Sequence, residues 1–227
     1  MTVPVKTPAQ GFSGDLSFTN QLLWRGVQLA SSPLFYPTIR YITGGLDIYT
    51  TAAYALDDSC REWDFGFSYT WRDFRLEVID YFYPAISSEP HPEAPQYDFF
   101  NWNNATTGHQ IDCILYYEPK SVPIKAFASV LPFGNDRLAD GRNAFSTYAE
   151  IGWYHNFEDE SRVETNFGAS FRESPIYLTE GFGFVNAELK YGKIFDCKSI
   201  RFPLAVSFVF NQYVSQPYIV ASTGLSF

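Results

Sequence analysis

The 227-residue sequence contains no apolar run near the roughly 18–20 residues that a helix needs to cross a bilayer, so a helical membrane protein is excluded. Charge is scarce: 18% of residues are Asp, Glu, Lys or Arg, below the roughly one quarter usual for soluble domains. Basic residues number 16 against 25 acidic ones, and the net charge of -9 makes nucleic acid a poor partner. A single Met and 14 Pro speak against a helix-rich chain. Cys60, Cys113 and Cys197 lack metal-ligand spacing, and Asp57-Asp58 and Glu158-Asp159-Glu160 lack the spacing of a calcium loop. No cofactor is expected. The opening Met1 to Gln10 has no apolar core of a secretory leader.

Aromatic residues, in contrast, make up 19% of the chain and outnumber the charged ones, although mean hydropathy is only -0.16. Alternation is the way to hold so many aromatics without a continuous apolar run. Trp63, Phe65, Phe67, Tyr69 and Trp71 alternate with Glu62, Asp64, Gly66, Ser68, Thr70 and Arg72, the period-2 pattern of a strand with one apolar face. It recurs in Val163–Phe171, Val185–Tyr191 and Phe202–Phe210. Twelve strands are predicted, near 14–25, 36–43, 46–56, 61–72, 74–84, 108–118, 122–132, 143–156, 161–173, 182–194, 200–213 and 217–227. Counting Gly44-Gly45 as a turn makes every even-numbered connection tight, while most odd-numbered ones are longer. Short turns at one end, longer loops at the other and an even strand number describe a transmembrane antiparallel up-and-down β-barrel. Without that break the parity fails, and because 36–43 is short, ten strands stand as the alternative.

A soluble β-sandwich also alternates. The strands here approach the ~9–11 residues needed to cross a membrane at a tilt. Trp24, Trp63, Trp71, Tyr117 and Trp153 fall near strand ends, as an interfacial girdle requires. The whole chain, 1–227, is therefore expected to form one outer-membrane barrel domain, with 1–12 as a periplasmic segment, outer-membrane lipid as its surroundings and a leader already removed.

The segment Asn20-Gln21-Leu22-Leu23-Trp24-Arg25-Gly26 resembles the Tyr-Leu-Trp-Arg-Gly opening strand of a group of bacterial porins, with Leu22 where that group usually has Tyr. Tyr41-Ile42-Thr43-Gly44-Gly45-Leu46-Asp47-Ile48-Tyr49 is similar to its Gly-Gly region, and Tyr81-Phe82-Tyr83-Pro84 to its strand end before a long loop. The final strand, ending on Phe227, resembles the signal by which bacterial barrels engage the barrel-assembly machinery. The resemblance covers about the first third and the C-terminus. It implies a porin-like barrel, and it also allows 36–56 to be one bent strand.

With the aromatic face on lipid, alternation sends Arg25, Arg40, Asp47, Glu62, Asp64, Arg72, Arg75, Glu77, Asp112, Lys125, Glu150, Arg162, Glu164, Arg172, Glu188 and Lys190 to the lumen. Signs balance among these residues, so a narrow lumen can pair them, whereas a strongly ion-selective pore would carry a ring of one sign. A small channel for small polar solutes is the expectation. The alternative is a non-conducting barrel serving as scaffold, adhesin or subunit of a larger assembly.

The long connection 85–107 carries Tyr97, Phe99, Phe100 and Trp102, which could constrict the mouth, stack on a sugar, dock a protein partner, or form a lipid-facing or self-packed loop. Catalysis is not expected. His91, His109 and His155 lack a nucleophile motif, His155 shares the lipid-face parity of Trp153, and His109 alternates with Asp112 across its strand. No intramolecular disulfide is expected, because Cys60 and Cys197 fall at opposite ends, about 25 Å of barrel apart against a reach of ~7 Å.

Overall fold

The computed structural model describes residues 10–84, 97–197 and 200–227. The chain opens with β1 (Gly11–Thr19), then β2 (Leu22–Trp24) and β3 (Val27–Ala30). After these come β4 (Leu34–Thr43), β5 (Leu46–Ala55), β6 (Arg61–Trp71), β7 (Phe74–Phe82) and β8 (His109–Tyr117). The remaining strands are β9 (Ile124–Gly134), β10 (Thr147–Asn156), β11 (Ser161–Ser174), β12 (Thr179–Cys197), β13 (Ile200–Asn211) and β14 (Gln216–Ser226). All except β2 and β3 pair antiparallel with their neighbours into one closed barrel of twelve strands, with β1 joining β14 to β4. Closure removes the unpaired strand edges that would otherwise template aggregation.

Gly44-Gly45 does break 34–55 into two strands, with Thr43 paired to Leu46 and Gly44 at a φ of 58°. A left-handed conformation is cheap only for glycine, so this pair closes the hairpin directly. Tight turns gather at one end of the barrel and the longer connections at the other. Strand parity follows the sequence pattern: Trp63, Phe67, Tyr69 and Trp71 are exposed on the outer wall, while Glu62, Asp64 and Ser68 are buried inside. Outward Trp and Tyr mark both ends (Tyr54 and Trp63 at one, Tyr69, Trp71, Trp153 and Tyr191 at the other), and residues such as Ile39, Ile151 and Phe167 lie between.

Three local features depart from the alternation. The strand predicted over 14–25 ends at Thr19, and Gly11 and Phe12, expected in the preceding segment, already belong to it. Residues beyond Gln21 leave the wall to form the separate β2–β3 hairpin. Val185, expected on the lipid face, sits in a bulge where Gly168 pairs with Asn186 but Ala169 pairs with Phe184, and it is fully buried. Cys60 precedes β6 at the long-connection end, Cys113 lies within β8, and β12 finishes at Cys197 at the opposite end.

Candidate functional site in the lumen

Trp24-Arg25-Gly26-Val27 is the tip of the β2–β3 hairpin. Trp24 pairs with Val27, and Arg25 and Gly26 have φ angles of 50° and 83°, both in the left-handed region, as the two central residues of a type I′ turn do. The tip is pressed into the barrel interior. A Cβ on Gly26 would stand 1.8 Å from the Val185 carbonyl oxygen, so no larger residue fits there.

Arg25 is 8% exposed, and its guanidinium fork spreads over two strands and a loop. Nη2 donates to Asp112 Oδ2 at 2.6 Å, and Nη1 donates to Ser129 Oγ at 2.7 Å and Tyr177 Oη at 2.6 Å. Trp24 lies beneath it, 4.4 Å from ring centroid to Cζ, and itself stacks on Tyr177 at 5.3 Å and 4°. Leu23 and Val27 are buried beside it, and Gly26 O accepts from Asn211 Nδ2 at 3.0 Å. The half of the lumen nearer the long connections is therefore filled. Trp24, expected in the lipid girdle, belongs to this filling. Arg25 does reach the lumen, but from the hairpin rather than from the wall.

In the other half, charges of the wall meet one another, across a hairpin, along one strand or over an intervening strand. Arg40 approaches Asp47 at 3.6 Å and Arg75 approaches Glu77 at 3.6 Å. Lys125 on β9 and Arg162 on β11 both reach Glu164, each at 2.5 Å. Tyrosines cover the cations: Arg75 lies 3.9 Å over Tyr116 and Arg162 4.0 Å over Tyr154. Amide and hydroxyl groups hold further carboxylates: Asn166 donates to Glu188 at 2.7 Å, Asn186 to Glu150 at 2.8 Å and Tyr49 to Glu77 at 2.9 Å. Lys190 is buried on the same face.

Two residues expected in the lumen are not there. Arg72 occupies the β6–β7 turn at a φ of 58°, exposed, beside the Trp71 ring. Arg172 stands exposed at the end of β11. Arg72 lies past the last wall residue of β6, whereas Arg172 is still in the wall, paired with Gly181, and is exposed at the mouth near the end of its strand. Of the sixteen residues named from the sequence, six cations and eight carboxylates remain inside, so the expected balance becomes a small negative excess. Glu62 and Asp64, both buried, sit two residues apart on β6, and Asp64 Oδ1 meets no hydrogen-bond partner among the described residues.

The described part of the long loop packs on the outside of the wall. Phe99 touches outward-facing Trp63, Phe65 and Phe82, with ring centroids 5.1–6.0 Å apart. Trp102 stacks on His109 at 3.9 Å. His109 is fully buried by this cover: Nδ1 lies 2.8 Å from Asp80 Oδ2 and Nε2 lies 2.7 Å from the Phe99 carbonyl. Phe100 remains 82% exposed, and Tyr97 donates its backbone N–H to Pro84 O. Phe99 and Trp102 thus lie against the outer face of the wall rather than in the mouth. Asp80 went unnoticed in the sequence because its contact with His109 is diagonal across the β7–β8 register, in which Phe82 pairs with His109. Asp112, on the opposite face from His109, serves Arg25 instead. His155 lies outward between Trp153 and Phe157, and His91 falls outside the described residues. Burial pushes the Cys60 thiol up to about 12, so it stays protonated at neutral pH. In the 135–146 loop, burial raises the Asp136 carboxyl against the opposing effect of hydrogen bonds from Ser146. Phe227 closes the barrel through paired backbone hydrogen bonds with Gly14 at 2.8 and 2.9 Å.

No family model matches the chain, and no curated protein matches it. Among solved structures, it is similar to a chain from work on in-meso crystallisation of membrane proteins, with 8% identity and a TM-score of 0.50 over 95% of this chain and 83% of that one. An outer membrane channel of Pseudomonas putida F1 gives 10% identity and a TM-score of 0.47 over 97% and 96% of the two chains. A bacterial polysaccharide outer membrane secretin gives 8% and 0.45 over 96% and 98%. At these identities the likeness concerns the fold alone.

Proposed function

We propose that this chain is a porin-like barrel of the bacterial outer membrane that passes small polar solutes. The observation carrying this reading is a closed wall with an apolar outside and an ion-paired, tyrosine-covered inside. A soluble barrel has no physical reason to expose Trp, Phe and Tyr around its whole circumference. Charged groups are too costly to line a lumen unless they are paired or hydrated, and here they are paired at the wall. The Leu-Leu-Trp-Arg-Gly segment and the Phe227 end, which resemble porin sequences, support the same reading, with the terminal strand as the contact for the assembly machinery. The long connections then face outward from the cell. The role is one of passage, without catalysis.

Conductance of the refolded protein in planar bilayers tests this. Current above leak is expected; a folded barrel that stays silent both with its hairpin and after hairpin removal rejects it. The filled outer half favours a second reading, a closed scaffold barrel, which that silent result would leave standing.

A further inference from the structure

The hairpin that fills the lumen is not part of the wall. β2 and β3 pair only with each other, and the two-stranded piece they form is joined to the barrel at its roots. There Asn20 N–H donates to Ala221 O and Leu56 N–H donates to Pro33 O, both at the long-connection end. The polar contacts that hold the hairpin inward gather at its tip. One guanidinium supplies three hydrogen bonds, and one glycine carbonyl receives a fourth. Withdrawing the tip therefore breaks no hydrogen bond of the barrel ladder. It does strand Asp112, fully buried beneath Arg25, until water enters.

We infer that residues 20–33 form a gate, latched by Arg25 on Asp112, that closes the outer half of the channel proposed above. The inference rests on that channel reading. The tip residues fit the role separately. Arg25 is the fork that reaches strands β8 and β9 and the Tyr177 loop at once, a geometry that a lysine cannot copy. Gly26 is the point where backbone meets backbone, and its fit depends on the absence of a side chain rather than on charge. Two unrelated substitutions should thus unseat the same element. Arg25→Ala removes the latch, and Gly26→Ala places a methyl group against the Val185 carbonyl while leaving Arg25 and Asp112 intact.

The experiment measures single-channel conductance in potassium chloride for the refolded wild type, Arg25→Ala, Gly26→Ala and a variant with 20–33 replaced by a short glycine-serine linker. Heat-modifiable migration in SDS gels verifies that each barrel is folded. Uptake of neutral sugars of graded size into proteoliposomes gives a second readout. The expected result is a small or rarely open wild-type channel, with both point variants conducting several-fold more and approaching the linker variant, and a larger sugar cut-off in all three. Arg25→Lys should fall between, and it replaces Arg25→Ala if that variant does not fold. A linker variant that conducts like the wild type overturns the gate and leaves the channel. Point variants that match the wild type while the linker variant opens overturn the Arg25 latch. A folded linker variant with no current overturns the channel reading, and the gate with it.

Discussion

The two halves of the lumen use one wall differently. Toward the tight turns, the wall pairs its own charges within and between strands, and Glu164 holds Lys125 and Arg162 at once. Toward the long connections, a foreign element does the filling, and the wall offers it Asp112, Ser129 and a socket of Phe127, Tyr148 and Val185. An ion pair between wall residues needs only the alternation and register of the sheet. A plug needs a wall carved to its shape, with every polar group at its tip matched, because an unmatched one would be buried. The first arrangement suits passage and the second suits closure.

The largest effect that would break this contrast is loss of Asp112. Asp112→Ala leaves Arg25 buried without its carboxylate, and about 3–5 kcal/mol of stability should go. Urea unfolding in detergent, followed by tryptophan fluorescence, measures it; a shift no larger than that of a surface variant would mean the plug is held by packing alone. His109→Ala comes next. It leaves the Asp80 carboxylate without its partner under the aromatic cover, at about 1–3 kcal/mol. Limited proteolysis should then cut within 97–107 faster, with conductance unchanged, because this contact lies outside the wall.

Glu164→Gln should cost less, about 1 kcal/mol or below, since the Lys125 side chain is 30% exposed and water replaces part of the attraction. Its stronger signature is electrical. Lys125, Arg162 and nearby Lys190 lose a counter-charge, so the reversal potential in a salt gradient should move toward anion preference. The smallest effect belongs to the exposed 157–160 turn. Hydrogen bonds from Lys193 and Ser161 hold the Asp159 carboxylate down at about 2, against an ordinary 3.8. A depressed carboxylate contributes fully above its unfolded value and loses that contribution only as pH falls through the folded one. Asp159→Asn should therefore leave the unfolding midpoint unchanged between pH 7 and pH 5, and a measurable drop there would show that the turn contributes more than its exposure suggests.

Much of the wall was legible because a strand has a period of exactly two residues only while it remains in the sheet. Glu62 to Trp71 reads correctly for that reason, and Gly44-Gly45 marks its turn through the conformation that glycine permits. The same rule fails wherever the chain leaves the sheet or bulges. Trp24 and Arg25 continue the parity of β1 on paper but belong to the hairpin, Arg72 lies in a turn beyond the wall, Arg172 is exposed at the mouth, and a bulge reverses Val185. The histidine contact failed differently: His109 and Asp80 are 29 positions apart and meet only through the register of β7 with β8.

By itself, then, the sequence determined the antiparallel wall and which face is apolar, since these follow from local alternation and turn chemistry, while twelve strands rather than ten came with the closed sheet. Tertiary structure alone decided that the Trp-Arg-Gly turn folds inward, which charges meet and where the loop aromatics pack. Those contacts join residues as far apart as Arg25 and Tyr177, separated by 152 positions. No local period encodes such a meeting; it exists only once the sheet has closed and placed the partners around one interior.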